Sequence, residues 1–323
     1  MERSLASGVG STCIPAEFAG GLDCDLFLPM NELEILFCMP GTSDQHNPQL
    51  NAEVEAVGEL GLNSHLVRTE DVVDGHLDRL ERALPPGQGQ PLLYRGFMLT
   101  EEEYDQLYDE LVRLGYSPVT NPADYAEMHY LPNYYPAIEK LASPATWIWD
   151  TDLDEAWEAA SSLGEPPYLV KDHVKSAKED WSNSCFIPPG ADREVFDRTC
   201  KSFIEFRGDR FERGLAFRRF LPLRKLGESD QGYPIHDEYR LFFWQGQLLM
   251  GEAYHELGGE QNDFSRFELL GEKFGSPFFT ADVAQLENGE WMIIEMGDGG
   301  VSALPPLVEP FAFYELLLGE EEE

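Results

Sequence analysis

Apolar positions in the first half of the chain follow two different spacings. Continuous apolar runs at residues 34–40 and 92–96 are short and bounded by turn formers, which is typical of buried strands. Between them, Val54, Val57 and Leu60 are spaced like one face of a helix. The pattern predicts alternating strands and helices in this part of the chain.

The segment from Thr100 to Gly115 carries the strongest helix signal. Thr100 can cap a helix, and Glu103, three residues later, completes a capping box. Gly115 is placed to end the helix. One apolar stripe runs along the segment and comprises Tyr104, Leu107, Tyr108, Leu111 and Leu114. With the two strand-like runs, this helix predicts a small α/β domain over residues 31–144.

The remaining segments of the first half lack a regular period. Residues 1–30 are rich in Gly, Ser and Ala, and we interpret them as an N-terminal extension. Proline-containing segments between residues 121 and 144 are expected to break regular structure, with His129 in an irregular aromatic loop. We therefore place a domain boundary near residue 145.

The second half is dominated by strand patterns. Runs at 168–171 and 215–221 predict single strands. Segments 239–250 and 278–296 each read as two strands, joined at Gln245-Gly246 and at Asn288-Gly289. These patterns predict an antiparallel-rich α+β domain over residues 145–318, followed by an acidic tail at 319–323.

The last predicted hairpin concentrates carboxylates. With Asn288 and Gly289 as a two-residue turn, Asp282 lies directly opposite Glu295, with their Cβ atoms about 5 Å apart. Such like charges repel unless a cation bridges them, and Mg²⁺ takes carboxylate oxygens together with substrate phosphates. Asp298 follows just past the strand. The alternative is an exposed sheet face on which two acids happen to pair, and both interpretations stay open.

Composition narrows the class of partner. The chain has 323 residues, which suits two domains, and its formal net charge is −37. So acidic a surface repels nucleic acid and anionic membranes, because phosphate binding depends on Lys and Arg. We expect neither as a partner.

Cysteine usage and hydropathy bear on location. The five cysteines are odd in number and show no metal-ligand or Cys-x-x-Cys spacing, which favours free thiols and a reducing compartment. No apolar run approaches the roughly 20 residues of a membrane helix, and no signal-peptide core is present. We expect a cytoplasmic protein.

Basic residues are few, so their positions are informative. Lys171 ends a strand, and Lys175-Ser176 follows in a polar loop, an arrangement that suits the phosphates of a nucleotide. Ordinary surface lysines are the alternative. Arg218 and Arg219 are adjacent in one strand, so we expect one to face a site and the other to face solvent.

Three further charged positions and one histidine are candidates. Glu238 and Arg240 are two apart on a strand and share a face, as a structural ion pair or as ligand contacts. Arg95 closes a buried strand of the first domain, where α/β folds place ligand groups. His129 is a weaker candidate, since a lone loop histidine is more often structural.

The second half resembles an ATP-grasp domain, in particular the compact bacterial and phage ATP-grasp proteins. The resemblance covers most of residues 145–310, and no single motif is specific, whereas their order and spacing together are. The matching stretches are Tyr168–Ser176, Phe217–Phe220, Asp237–Arg240, Asp282–Ala284, Trp291–Glu295, Gly297–Gly299 and Ser302–Pro305.

The resemblance implies a fold of two α+β subdomains around ATP, preceded by a pre-ATP-grasp domain that contributes acceptor contacts. It implies the following roles: Lys171, Lys175 and Ser176 on phosphates, Phe220, Leu221 and Glu238 on the nucleotide, Asp282, Glu295 and Asp298 on Mg²⁺ (or Mn²⁺), and Arg240, Lys175 and Arg219 in catalysis, with Arg95 and His129 toward the acceptor. One departure is Asp298, where many members have Asn.

The implied activity is that of a ligase. A substrate carboxylate takes the γ-phosphoryl group of ATP, and an amine or other nucleophile then attacks the acyl phosphate, giving ADP and phosphate. The acceptor is a metabolite, a peptide or a protein. The alternatives are a kinase-like phosphotransferase on the same fold and a non-catalytic ATP-binding module.

Overall fold

A computed structural model describes residues 32–41, 48–177, 180–228, 234–258 and 262–319. The predicted extension at 1–30 and the acidic residues 320–323 lie outside these ranges. Single turns of other helix types occur at Leu77–Arg79, Trp181–Cys185, Gly208–Arg210, Ser265–Phe267 and Gly299–Val301.

The first domain is built on a parallel sheet, here called the first sheet. Its strands are β1 (Glu34–Met39), β2 (Ser64–Arg68), β3 (Pro91–Gly96) and β4 (Ser117–Pro118), in the order β2-β1-β3-β4. Its helices are α1 (Pro48–Glu59), α2 (Thr69–Val73), α3 (Leu80–Ala83) and α4 (Glu101–Arg113). The predicted capping box at Thr100 and Glu103 is confirmed, as is the buried stripe of Tyr104, Leu107 and Leu111.

The proline-containing segment forms helices, contrary to the sequence expectation. These are α5 (Pro122–His129) and α6 (Leu131–Ile138). Pro122 and Pro132 stand in the first turn, where a missing N–H costs nothing, and Asn121 caps α5 through the Asp124 amide. His129 is therefore the last residue of a helix and not part of an irregular loop.

The middle sheet opens the second half. Its strands are β5 (Ala145–Trp147), β6 (Tyr168–Asp172), β7 (Phe186–Ile187) and β8 (Leu215–Arg219), in the order β5-β8-β6-β7. Its helices are α7 (Leu153–Ser161) and α8 (Arg193–Arg207). Val170 and Phe217 pack against Ala156, Phe196 and Phe203 of these helices. One face of the middle sheet is therefore core, which leaves the alternate residues of β6 and β8 on the other face.

The C-terminal sheet is antiparallel. Its strands are β11 (Glu238–Trp244), β12 (Gln247–Ala253), β13 (Phe278–Gln285) and β14 (Trp291–Asp298), in the order β12-β11-β13-β14. A separate pair, β9 (Lys225–Glu228) and β10 (Pro234–His236), precedes it, and the helices are α9 (Leu269–Lys273) and α10 (Pro310–Leu318). The turn at Gln245 (φ 47°) and Gly246 (φ 79°) is the predicted two-residue hairpin.

The hairpin of β13 and β14 differs in detail from the prediction. Leu286 bonds Glu290 across a three-residue loop, in which Gly289 has φ 87°. This loop shifts the register by one residue near the turn. A β-bulge beyond Val283 shifts it back, so that Asp282 and Glu295 lie opposite each other as predicted.

Candidate active site

Two basic side chains reach from the middle sheet to β14 at the edge of the C-terminal sheet. Lys171 Nζ lies 3.7 Å from Glu295 Oε1, and the Arg218 guanidinium donates to the Ile293 carbonyl at 3.2 Å. Both side chains are buried. Lys171 pairs with Ala216, and Arg218 pairs with Leu169, so the two basic residues share the face opposite Val170 and Phe217.

Burial changes the acidity of Lys171. Loss of water lowers the pKa of its ammonium to about 8, and the charges of Arg218 and Lys175 lower it further, while Glu295 opposes the shift. An ammonium held in this way is poorly solvated. A phosphate that replaces the missing water therefore gains a strong charge-assisted contact.

Arg240 is fixed by its neighbours. It pairs bidentately with Asp282 at 2.8 and 2.9 Å and donates to the Ala303 carbonyl at 2.8 Å. The Tyr254 hydroxyl donates to the same carboxylate at 2.9 Å. Lys171, Glu295, Asp282 and Arg240 therefore form a row of charges, cation–anion–anion–cation, that spans the two sheets. The partner of Arg240 is Asp282 on the neighbouring strand, and not Glu238.

Asp298 does not join the other two carboxylates, contrary to the sequence expectation. It pairs with Phe279, three residues from Asp282 along β13 with no bulge between them. Strand side chains alternate with period two, so Asp298 points to the face opposite Asp282 and Glu295. Across the described ranges no group of three His, Cys, Asp or Glu residues could hold a metal.

The remaining pair still fits Mg²⁺. This ion is commonly held by one or two carboxylates together with substrate phosphates. Asp282 Oδ1 accepts one hydrogen bond, from Arg240, and keeps a second lone pair for a ligand. The Glu295 side chain is 27% exposed and lies opposite Asp282. Asp282 and Glu295 are therefore the residues that would hold the ion.

Asp298 is a buried carboxyl group at the junction with the first domain. Its Oδ1 accepts from the Gly300 amide at 2.8 Å. Burial raises the pKa of Asp298 to about 7, although the Gly300 amide and the charge of Arg95 lower it. Its chemistry is that of an interior acid and not of a magnesium ligand.

Arg95 has a structural role, which corrects the expected substrate contact. It pairs bidentately with the buried Glu53 at 2.8 Å and donates to the Gly299 and Ser302 carbonyls at 2.5 and 2.9 Å. Tyr314 also donates to Glu53. Because Arg95 is 1% exposed, a ligand cannot reach it. The network ties the first domain to the loop that follows β14.

His129 lies close to the row of charges. Its ring stacks on Tyr125 at 4.8 Å and is buried. Burial, followed by the charges of Lys175 and Lys171, lowers the pKa of His129 to about 3, so the imidazole is neutral at pH 7. Glu295 opposes this shift. A contact with the acceptor stays a prediction.

The loop after β6 presents Lys175. Asp172 holds the loop by accepting from the Val174 and Lys175 amides at 2.8 and 2.6 Å. The Lys175 side chain is exposed, and Ser176 forms a bridge with Lys171. Both residues therefore stand beside Lys171, where the sequence placed them.

Arg219 faces away from the row of charges. It is exposed, and its guanidinium contacts the Leu163 carbonyl at 3.4 Å. The structure corrects the assignment of a catalytic role to Arg219, because Arg218 is the member of the pair that reaches β14. Strand alternation alone separates the two residues but cannot show which face is core.

The remaining nucleotide candidates lie near the link between the two sheets. The Phe220 ring contacts Phe186 and Trp181 edge-on at 5.2 and 6.1 Å. Leu221 is partly buried beside it. Glu238 begins β11, opposite Ala284. Their contacts with a nucleotide stay predictions.

Comparisons with known proteins agree with this fold. Residues 162–317 match a family model described as an ATP-grasp domain, the third family of its clade. Among solved structures, a RimK domain ATP-grasp protein from Sphaerobacter thermophilus is 14% identical with a TM-score of 0.55, over 89% of this chain and 98% of that one. The macrocyclase MdnC from Microcystis aeruginosa, bound with precursor peptide MdnA, is 11% identical with a TM-score of 0.52, over 89% and 99%.

A third similar structure is the N5-carboxyaminoimidazole synthase from Aspergillus clavatus in complex with ADP and 5-aminoimadazole ribonucleotide. It is 9% identical with a TM-score of 0.54, over 83% of this chain and 70% of that one. No curated protein matches the sequence.

The fold is that of an ATP-grasp protein, with a parallel sheet preceding the ATP-grasp sheets. The chain belongs to the ATP-grasp superfamily. Among the residues that the structure describes, no helix is long and apolar enough to cross a membrane.

Proposed function

We propose that the protein is an ATP-dependent ligase that activates a carboxylate as an acyl phosphate. The observation that carries this proposal is the row formed by Lys171, Glu295, Asp282 and Arg240. Two cations flank two carboxylates across the two sheets, which suits a polyphosphate bound with a divalent ion. The similarity to a synthase solved with ADP supports the use of ATP.

The chain's own residues bind and orient the reactants. Lys171 and Lys175 meet phosphate oxygens. Arg240 uses three of its five N–H groups on Asp282 and Ala303 within the described structure, and the other two are available to the group in transfer. Magnesium, held by Asp282 and Glu295, supplies neutralisation of phosphate charge when bound.

The reaction proceeds in two displacements. A carboxylate oxygen of the acceptor bonds to the γ-phosphorus while the bond to the β–γ bridging oxygen breaks, and ADP leaves. An amine nitrogen then attacks the acyl carbon, loses a proton, and displaces inorganic phosphate. Positioning and charge stabilisation provide the catalysis, so no Ser or Cys nucleophile is required.

Hydroxylamine provides a test that needs no knowledge of the natural nucleophile. It converts an acyl phosphate into a hydroxamate and frees phosphate. The protein is incubated with Mg–ATP, hydroxylamine and a panel of amino acids, dicarboxylic acids and short peptides. We expect ADP, phosphate and hydroxamate in equal amounts for at least one acid.

Matched lysine variants tie the activity to the site. Lys171→Met removes a charge-assisted contact and should weaken ATP binding by about tenfold or more. Lys273→Met removes the same charge at an exposed position on α9 and should leave binding unchanged. AMP as the main product would contradict the mechanism. ADP with a stable phosphorylated acid would instead identify a phosphotransferase.

A further inference from the structure

A small pocket lies between the first domain and the middle sheet. Its volume is about 210 Å³, and its walls include segment 98–100, His129, Lys175, Arg207, Arg210 and Glu212. Val174, which precedes Lys175, packs against Ala126, Tyr130 and Met98 and so joins the loop after β6 to the first domain. We call this space the inter-domain pocket.

The pocket lies where the topology of the first sheet favours a ligand. The strand order β2-β1-β3-β4 places the switch of direction between β1 and β3. Open parallel sheets bind ligands beyond the carboxyl ends of their strands at such a point. Segment 98–100 follows β3 at that end and forms one wall of the pocket.

The charge of the pocket is opposite to that of the molecule. Lys175, Arg207 and Arg210 contribute three cations against the single carboxylate of Glu212, in a chain with 23 basic and 60 acidic residues. Arg207 is engaged by Asp172 at 2.8 Å, and Arg210 by Glu103 at 3.2 Å in an exposed pair. In the described part of the chain, Lys175 has no carboxylate within 4 Å. Lys175 and Arg210 are therefore the cations most available to an anion.

The pocket also adjoins the phosphate-binding residues. Lys175 follows Lys171 in the chain by four residues, and the charges of both act on His129 in the pocket wall. An anionic group beside Lys175 thus lies next to the end of the row of charges at which we place ATP. Such closeness is what transfer of a phosphoryl group to a carboxylate requires.

The volume limits the size of the group. It equals the space of about seven water molecules, at roughly 30 Å³ each. A small organic acid fits, as does the acidic side chain or C-terminus of a peptide whose remainder stays outside.

We propose that the inter-domain pocket binds the acceptor carboxylate, held by Lys175 and Arg210, beside the γ-phosphate of ATP. This inference rests on the proposed function and gives it an acceptor site. The shared chemistry is a single carboxylate, from a free small acid or from a peptide.

The Met98 methyl group is a direct reporter of occupancy. The protein is labelled with ¹³C-methyl methionine, and the Met98 signal is assigned with Met98→Leu, a swap that a core tolerates. Acetate, succinate, glutarate and a short peptide ending in Glu are titrated with Mg–AMP-PNP present. We expect a saturable shift of the Met98 signal with at least one acid, and none with succinamide. A response to small acids or only to the peptide identifies the source.

Charge reversal tests the assigned cations. Arg210→Glu should weaken acid binding by at least about tenfold while Mg–AMP-PNP still binds. Arg198→Glu makes the same change at an exposed position of α8 outside the pocket and should leave acid binding unchanged. If nucleotide binds but Met98 stays silent with every acid, or Arg210→Glu binds acid as the wild type does, the pocket assignment is wrong. Absence of nucleotide binding would instead overturn the proposed function as well.

Discussion

At the scale of single residues, burial decides the behaviour of Asp298. Its carboxyl group is 1% exposed beside Gly300, and burial raises its pKa to about 7, against an ordinary value near 3.9. Between these two values the folded protein binds this proton more tightly than the unfolded chain does. The contribution of Asp298 to stability therefore falls as pH rises from about 4 to 7 and stays at its lowest above pH 7.

Asp298→Asn removes that dependence. Asn keeps an oxygen that can accept from the Gly300 amide, so the turn after β14 should survive. Relative to wild type, we expect the variant to gain stability between pH 5 and pH 8, on the order of a few kcal/mol, at roughly 1.4 kcal/mol per pKa unit. Urea unfolding at the two pH values measures the difference. An equal difference between variant and wild type at both values would contradict the prediction.

The arginine pair shows what sequence can and cannot provide at this scale. Alternation along β8 predicts that Arg218 and Arg219 point to opposite faces, and they do. It does not tell which face the helices cover, because that depends on the packing of α7 and α8 on Val170 and Phe217. The catalytic assignment of Arg219 failed for this reason.

At the scale of elements, the hairpin of β13 and β14 contains two deviations that cancel. The sequence predicts a two-residue turn at Asn288 and Gly289, whereas the loop has three residues and a left-handed Gly289. The β-bulge beyond Val283 adds one residue to β14 and restores the pairing of Asp282 with Glu295. The prediction of the pair is confirmed, although no local sequence signal identified the bulge.

The Arg95 network joins elements that are far apart in the sequence. Arg95 on β3 pairs with Glu53 on α1 and with the carbonyls of Gly299 and Ser302, and Tyr314 on α10 meets Glu53. A sequence pattern places Arg95 at a strand end but cannot reveal a partner 204 residues away. Burial of both charges makes the pair, and not a ligand, the purpose of Arg95.

Removal of one partner should be costly. Arg95→Met leaves Glu53 as an unpaired buried charge, and we expect a loss of about 3–5 kcal/mol of unfolding free energy. The double variant Arg95→Met/Glu53→Leu removes both charges and should be clearly less destabilised than Arg95→Met alone. Urea unfolding of wild type, both single variants and the double variant measures the coupling. Strictly additive losses would show that the pair is not coupled.

At the scale of the whole molecule, the two ATP-grasp sheets meet through few polar contacts. Lys171 reaches Glu295, and Arg218 reaches the Ile293 carbonyl. Hydrophobic contacts add to this junction, since Ala216 belongs to the same core cluster as Ile293 and Met296. The fold class was predictable because strand and helix periods mark it locally, whereas the junction depends on side chains that only the folded chain brings together.

A nucleotide bound at this junction should stabilise the folded protein. At a concentration 100 times the dissociation constant, binding contributes about 2.7 kcal/mol and raises the melting temperature. Arg218→Ala removes a buried charge next to Lys171 and a contact with β14, so we expect about tenfold weaker Mg–ATP binding, which costs about 1.4 kcal/mol of that stabilisation. Thermal unfolding with and without Mg–ATP measures the effect. Arg219→Ala changes the charge equally, but it removes only an exposed contact with the Leu163 carbonyl, and it should keep the wild-type shift. Equal losses in the two variants would mean that net charge, and not the position of Arg218 at the junction, governs nucleotide binding.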